Sequence, residues 1–259
     1  MKNRRRLLGL LAGLSILCLM VPVVQAASYS IGGGVGYAPD YEGSSDYELV
    51  PLPAGDAKFD NGMYIKLLGL NLRANLIPTS WVPWLKAGPV YNYRPERDDV
   101  DNNQVDKMKS ISDANEFGGF VGFDYNGWYG NLDYLMDMGD AYGGEYAKLS
   151  GGYNWKYSEA WVFTFGGHTT WADSDYMDTY FGVDANDAAR SGLSQYSADD
   201  GIYNVGIDLG ANWNFMQNWN LRGLMKITQL IGDADDDSPV VDEGSETQFF
   251  TGIMVLYSF

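Results

Sequence analysis

Thr247-Gln248-Phe249-Phe250-Thr251-Gly252-Ile253-Met254-Val255-Leu256-Tyr257-Ser258-Phe259 is the stretch that decides the fold. Taken every second residue, it places Phe249, Thr251, Ile253, Val255, Tyr257 and Phe259 on one side. Gln248, Phe250, Gly252, Met254, Leu256 and Ser258 fall on the other, a mixed set. Side chains alternate across a strand, so the pattern predicts a strand with one apolar, aromatic-ended face. Both the last strand of a soluble sandwich and the closing strand of a barrel fit that description.

The same alternation recurs upstream. Tyr203, Val205, Ile207, Leu209, Ala211 and Trp213 alternate with Asn204, Gly206, Asp208, Gly210 and Asn212. Trp219, Leu221, Gly223, Met225 and Ile227 alternate with Asn220, Arg222, Leu224, Lys226 and Thr228. Trp161, Phe163, Phe165 and Trp171 oppose Thr164, Gly166, His168 and Thr170. Tyr29, Ile31, Val35 and Tyr37 oppose Ser30 and three glycines. These runs reach about ten residues, the length of a tilted membrane-spanning strand, and many carry aromatics near their ends.

The expected fold class is therefore all-β, a closed antiparallel transmembrane β-barrel of the outer-membrane type. Twelve strands are expected, at 28–38, 46–59, 62–68, 70–76, 83–95, 114–125, 127–138, 143–155, 159–171, 199–214, 218–231 and 245–259. Short turns then share one end, and the long connections 96–113, 172–198 and 232–244 share the other. Ten strands is the alternative count, because Leu68-Gly69-Leu70 is an unconvincing turn. Within 172–198, Asp173-Ser174-Asp175 predicts the cap of a short helix over Tyr176 to Phe181, with a strand as the competing assignment.

Residues 1–26 read as a secretory signal peptide. Lys2, Arg4, Arg5 and Arg6 precede an apolar run from Leu7 to Met20, and Val24-Gln25-Ala26 suits cleavage after Ala26. Cys18, the one cysteine, follows Leu17 rather than a small residue, which argues against a lipid anchor. The expected domain organisation is a signal peptide over 1–26 and one barrel over 27–259. Without the leader, 13 Lys+Arg face 34 Asp+Glu, which argues against nucleic acid as a partner.

No constellation of catalytic, metal-binding or cofactor-binding residues is expected. His168, the one histidine, falls on the polar strand face, with Ser150 and Ser158 outside any nucleophile motif. In the Asp98–Asp106 run, Gln104 stands where a calcium loop needs glycine and Ser110 where it needs glutamate. Asp233-Ala234-Asp235-Asp236-Asp237 has no ligand spacing either. Both acidic runs read as solvated loop tips that divalent cations could bridge to lipopolysaccharide. A barrel of twelve strands encloses a lumen narrow enough for side chains to fill.

Several stretches, in this order, resemble the MipA/OmpV family of outer-membrane proteins. They are Gly36-Tyr37-Ala38-Pro39-Asp40-Tyr41-Glu42-Gly43-Ser44, Arg97-Asp98-Asp99-Val100-Asp101-Asn102, Trp171-Ala172-Asp173-Ser174-Asp175-Tyr176-Met177, Tyr180-Phe181-Gly182-Val183, Ser191-Gly192-Leu193, and Leu230-Ile231-Gly232-Asp233-Ala234 with Asp237-Ser238-Pro239. The resemblance implies a Gram-negative outer-membrane barrel with no assigned catalytic residue. It also implies a scaffold that bridges a lytic transglycosylase and a penicillin-binding protein in peptidoglycan remodelling. A narrow channel and a surface adhesin are the alternative roles. On this reading Phe249, Ile253, Val255, Tyr257 and Phe259 face outer-membrane lipid, and Phe259 is the signal read by the barrel assembly machinery. Contacts with enzyme partners are expected at the turns 77–82, 156–159 and 215–218.

Overall fold

The computed structural model describes residues 26–259; the expected leader, apart from Ala26, lies outside the described residues. Twelve antiparallel strands close into one barrel, each paired with its sequence neighbours and the first with the last. They are β1 (Ala26–Pro39), β2 (Tyr47–Phe59), β3 (Tyr64–Leu68), β4 (Asn71–Asn75), β5 (Leu85–Arg94), β6 (Ala114–Tyr125), β7 (Trp128–Asp137), β8 (Glu145–Lys156), β9 (Trp161–Ala172), β10 (Gly201–Met216), β11 (Trp219–Leu230) and β12 (Thr247–Ser258). The connections after β2, β4, β6, β8 and β10 lie at the end holding both termini, the turn end, while the two-residue link between β3 and β4 lies on the opposite side. The long ones, including those after β5, β9 and β11, lie at the opposite, loop end.

The split at Gly69 is a two-residue hairpin. Gly69 has φ +58° while Leu70 is not left-handed, the backbone of a II′ turn, which wants glycine at its first position. The Asn126-Gly127 turn has φ 52° and 85°, the I′ geometry that this dipeptide favours. β3 and β4 are only five residues each, so the wall is low there. β2 pairs with β3 from Ala54 onward, and no strand among the described residues lies beside Tyr47–Pro53 on that side. The Pro53 carbonyl accepts from Gly69 N–H at 2.9 Å, so the nitrogen side of Pro53 faces that same edge. Pro51 shares its orientation. Two prolines thus remove two N–H groups from the one stretch of β2 with no ladder partner.

Closure rests on glycine. Gly32 and Gly34 of β1 point inward, and a Cβ on either would lie 2.0 Å or 1.8 Å from a β12 carbonyl oxygen. With no side chains on this row, the inward residues of its two neighbours meet over it. Leu52 and Ala54 of β2 pack with Met254 and Leu256 of β12, joined by Val50, Leu68, Leu224 and Phe250. This explains the mixed inner face of the closing strand: at the seam the interior is apolar. Burying such a side chain is worth about 1.5–3 kcal/mol relative to a wet lumen. The other face of β12 points out of the barrel, with Ile253 51% and Phe259 71% exposed.

Candidate functional site

The long connections fold into the loop end and fill it. Helix α1 (Ser174–Phe181) starts at Asp173, whose Oδ1 accepts from Tyr176 N–H at 3.0 Å. The other oxygen, Oδ2, accepts from Glu145 N–H of β8 at 3.0 Å, which fixes the helix to the wall. Helix α2 (Ala185–Ser191) is capped by Asp184 and ended by Gly192 at φ 81°. Helix α3 (Pro239–Asp242) follows Ser238, whose hydroxyl donates to Phe181 C=O at 2.9 Å. Tyr176, Met177 and Phe181 are buried against Tyr142, Tyr146, Tyr203 and Leu230, so α1 is a plug rather than a surface helix. A second cluster, including Tyr41, Val100, Val183 and Val240, joins all the long loops above it.

One cation sits at the centre of the plug. Arg94 of β5 meets Glu116 at 2.7 Å and Glu42 at 3.2 Å. Its guanidinium lies 5.6, 5.0 and 5.1 Å from the ring centroids of Tyr146, Tyr176 and Tyr180. Glu116 is fully buried and also accepts from Asn92, Tyr142 and Tyr146 at 2.7, 3.0 and 2.9 Å. The Tyr176 hydroxyl donates to Glu42 at 2.7 Å. Burial pushes the Tyr176 and Tyr142 phenols well above their ordinary range, so both stay protonated and remain donors to the carboxylates.

Below the plug the lumen is polar and charged. Arg73 pairs with Asp133 at 3.2 Å across two intervening strands, and Arg222 with Asp56 at 3.1 Å. Lys226 stands 4.0 Å from Asp208. Lys66 and Lys148 share the inward register, opposite Asp56 and Asp133 respectively. His168 lies on this face as expected, with Ser150 opposite it in the β8–β9 ladder, but neither Ser150 nor Ser158 hydrogen-bonds to its imidazole. Nδ1 meets Asp208 at 2.9 Å and Nε2 meets Thr228 at 3.2 Å, passing over Gly206. The imidazole is a strut between β9, β10 and β11. Ser158 instead caps the turn before β9, accepting from Trp161 N–H.

The turn end is aromatic. Trp171 apart, the chain's eight tryptophans all sit there. Rings in contact run from Trp155 through Tyr157, Phe163 and Trp161 to Trp213 and Phe215, with centroids 5.3–6.3 Å apart, edge-on as far as Phe163 and stacked from Phe163 to Trp213. Trp219, Tyr257 and Phe259 form a second run. The connection between β4 and β5 carries Trp81, 73% exposed, and is not slack. Buried Asn75 donates to Gly62 and Ile77 carbonyls at 3.1 and 3.0 Å and accepts from Ala87 N–H at 3.0 Å. Thr79 N–H donates to Asn61 C=O at 2.8 Å, so two neighbouring turns form one platform.

Residues 31–259 match the family described as "MltA-interacting protein MipA". The chain belongs to that family. It is similar to the MltA-interacting proteins of Escherichia coli (strain K12) and Shigella flexneri, each 25% identical over 87% of this chain and 88% of the relative. Among solved structures it is similar to the translocator domain of the autotransporter NalP from Neisseria meningitidis. That match has TM-score 0.44 and 12% identity, over 100% of this chain and 95% of the other. An outer-membrane channel from Pseudomonas putida F1 also has TM-score 0.44, at 11% identity over 93% and 97% of the two chains. This MipA-family chain is an outer-membrane β-barrel. In such barrels the short turns are periplasmic and the long loops extracellular.

The family member's site differs in two ways from what its sequence suggests. The Asp98–Asp106 run keeps its acids exposed, as a solvated tip, but its backbone is a structured loop. Asn102 Oδ1 accepts from the N–H groups of Gln104 and Val105, starting a single 3-10 turn at Val105–Lys107, and Asp101 N–H donates to Asp40. The connection after β9 holds two helices, not one. The second was signalled by Asp184 at its start and Gly192 just past its end, the expected cap residues.

Proposed function

We propose that the protein is a non-enzymatic outer-membrane anchor for murein-remodelling enzymes. It would hold a lytic transglycosylase and a penicillin-binding protein at the periplasmic end of the barrel. The observation that carries this reading is the turn-end platform. Trp81 projects from a segment pinned to the neighbouring turn by Asn75 and Thr79, a rigid apolar feature on the side where murein lies. The printed name of the Escherichia coli relative, MltA-interacting protein, supports it. The plug supports it too, because a loop end filled by α1 and its tyrosines disfavours a solute channel. A stable interface usually buries over ~1,000 Å², so neighbouring turns and rim must join Trp81 in the contact.

Co-purification from detergent extracts with a lytic transglycosylase tests the proposal. Enrichment over an unrelated barrel is expected, and Trp81→Ala should reduce it while leaving the barrel folded. No enrichment of the parent protein would sink the reading.

Phe249, Ile253, Val255, Tyr257 and Phe259 are, in the same reading, lipid-facing, with Phe259 as the assembly signal. Phe259 N–H donates to Tyr29 C=O at 2.9 Å, yet its ring is exposed and so accessible to assembly machinery. Deleting Phe259 should lower outer-membrane levels more than secretion. Normal levels of the truncated protein would count against that role.

A further inference from the structure

The charge of the lumen is the reverse of the charge of the chain. The sequence has formal net charge −17, yet below the plug the inward cations, among them Lys66, Arg73, Lys148, Arg222 and Lys226, outnumber the inward acids Asp56, Asp124, Asp133 and Asp208. The two arginines each hold a carboxylate, and Lys226 shares Asp208 with His168. Lys66 and Lys148 have no carboxylate within 4.0 Å among the described residues. Around Lys148 stand Lys226, Arg73, Asp208 and Asp133; around Lys66 stand Asp56, Arg222, Arg73 and Lys58. Each ammonium therefore faces at least as many cations as acids.

Solvent reaches the region from one side. Lys226 keeps 43% of its side chain exposed although it points into the barrel. Arg73 and Arg222 keep 21% each. The loop end is filled by α1 and its buried tyrosines, so the way in is from the turn end. The connections there, such as Asn126-Gly127 and Gln217-Asn218, are too short to fold across a twelve-strand mouth. A cleft of one charge sign with low-dielectric walls focuses the field and concentrates ions of the opposite sign.

We propose that the lumen below the plug is a binding site for a small anion, with carboxylate or phosphate oxygens, entering from the periplasm. Lys66 and Lys148 supply two charges that no carboxylate meets within 4.0 Å among the described residues, and the paired arginines line the approach. Lysine suits this role as a mobile point charge that can meet an oxyanion without a fixed fork geometry. The site is independent of the enzyme-anchoring reading, because it uses the inner wall and not the rim.

Calorimetric titration of the detergent-extracted barrel with inorganic phosphate, and separately with succinate, tests the site. Saturable binding of at least one anion is expected, and the anion that binds identifies the ligand chemistry. Added sodium chloride should weaken it. The double variant Lys66→Gln with Lys148→Gln should bind about tenfold more weakly or worse, while keeping the gel mobility of an unboiled barrel. Saturation by neither anion, or equal affinity in parent and double variant, overturns the proposal. If the double variant does not fold, thermal unfolding of the parent with each anion decides. A raised midpoint supports the site, and an unchanged midpoint with both anions overturns it.

Discussion

Arg94 on β5 and Glu116 on β6 meet at 2.7 Å beside the plug helix, with the Glu116 side chain wholly buried and the Arg94 side chain 18% exposed. Three tyrosine rings surround the guanidinium, two of them from α1, so wall and plug share one charge pair. Removing one member of such a pair leaves a buried charge. Arg94→Met should therefore destabilise the barrel by about 3–5 kcal/mol. The temperature at which unboiled protein converts to the denatured gel form reads this out. The double variant Arg94→Met with Glu116→Gln should lose less than the sum of the single changes.

Asp173 holds α1 by two bonds, one to the helix and one to β8. Asp173→Ala should cost about 1–2 kcal/mol, and Asp173→Asn less, since its amide oxygen keeps the cap while its amide nitrogen cannot accept from Glu145 N–H. Limited proteolysis should cut the Ala variant within 174–192 sooner than the parent. Equal cleavage times would show that tyrosine packing alone retains the plug.

Acid should release α2 from its cap. The N–H groups of Asp187 and Asn186 hold the Asp184 carboxyl below its usual range. Because folding lowers this pKa, the cap is fully effective above the unfolded value of about 3.9 and is lost as pH falls through the folded value. Amide exchange at Asp187 should accelerate over that interval beyond the intrinsic trend. Asp184→Asn, which caps without ionising, should remove the excess.

Gly34→Val should prevent closure. Its Cβ would sit 1.8 Å from the Ile253 carbonyl oxygen, where backbone rather than a flexible side chain is in the way. Loss of the heat-dependent gel shift is expected. Gly223→Ala on β11, where nothing lies within 4 Å of the added Cβ, should retain it.

Strand count and the two ends were legible because period-two alternation and loop length are local properties. The hairpin at Gly69 was legible only as a break, since Leu68-Gly69-Leu70 lacks the usual pairing of turn residues. The apolar seam was not legible. Phe250, Met254 and Leu256 look like a blurred polar face until β1 is placed beside them, and Gly34 and Met254 are 220 residues apart. The same holds for the plug pair, since Glu42, Arg94 and Glu116 belong to separate segments with no shared motif. α1 could be read from Asp173. α2 carried equally good end signals in Asp184 and Gly192, but its seven residues are too few for a helical period to stand out.

The uneven placement of tryptophan sets how the molecule rides in its bilayer. Indole rings prefer the boundary between hydrocarbon and headgroups, and mismatch with bilayer thickness costs fractions of a kcal/mol per Å. With the row of rings from Trp155 to Trp213 at one rim, and Trp171 with the tyrosines Tyr37 and Tyr134 near the other, the indole anchoring is concentrated at the turn-end rim. A change in membrane thickness would then be taken up at the extracellular side. The acidic loops would rise or sink relative to the lipid surface, while Trp81 and the mouth of the cationic lumen keep a constant height above the murein.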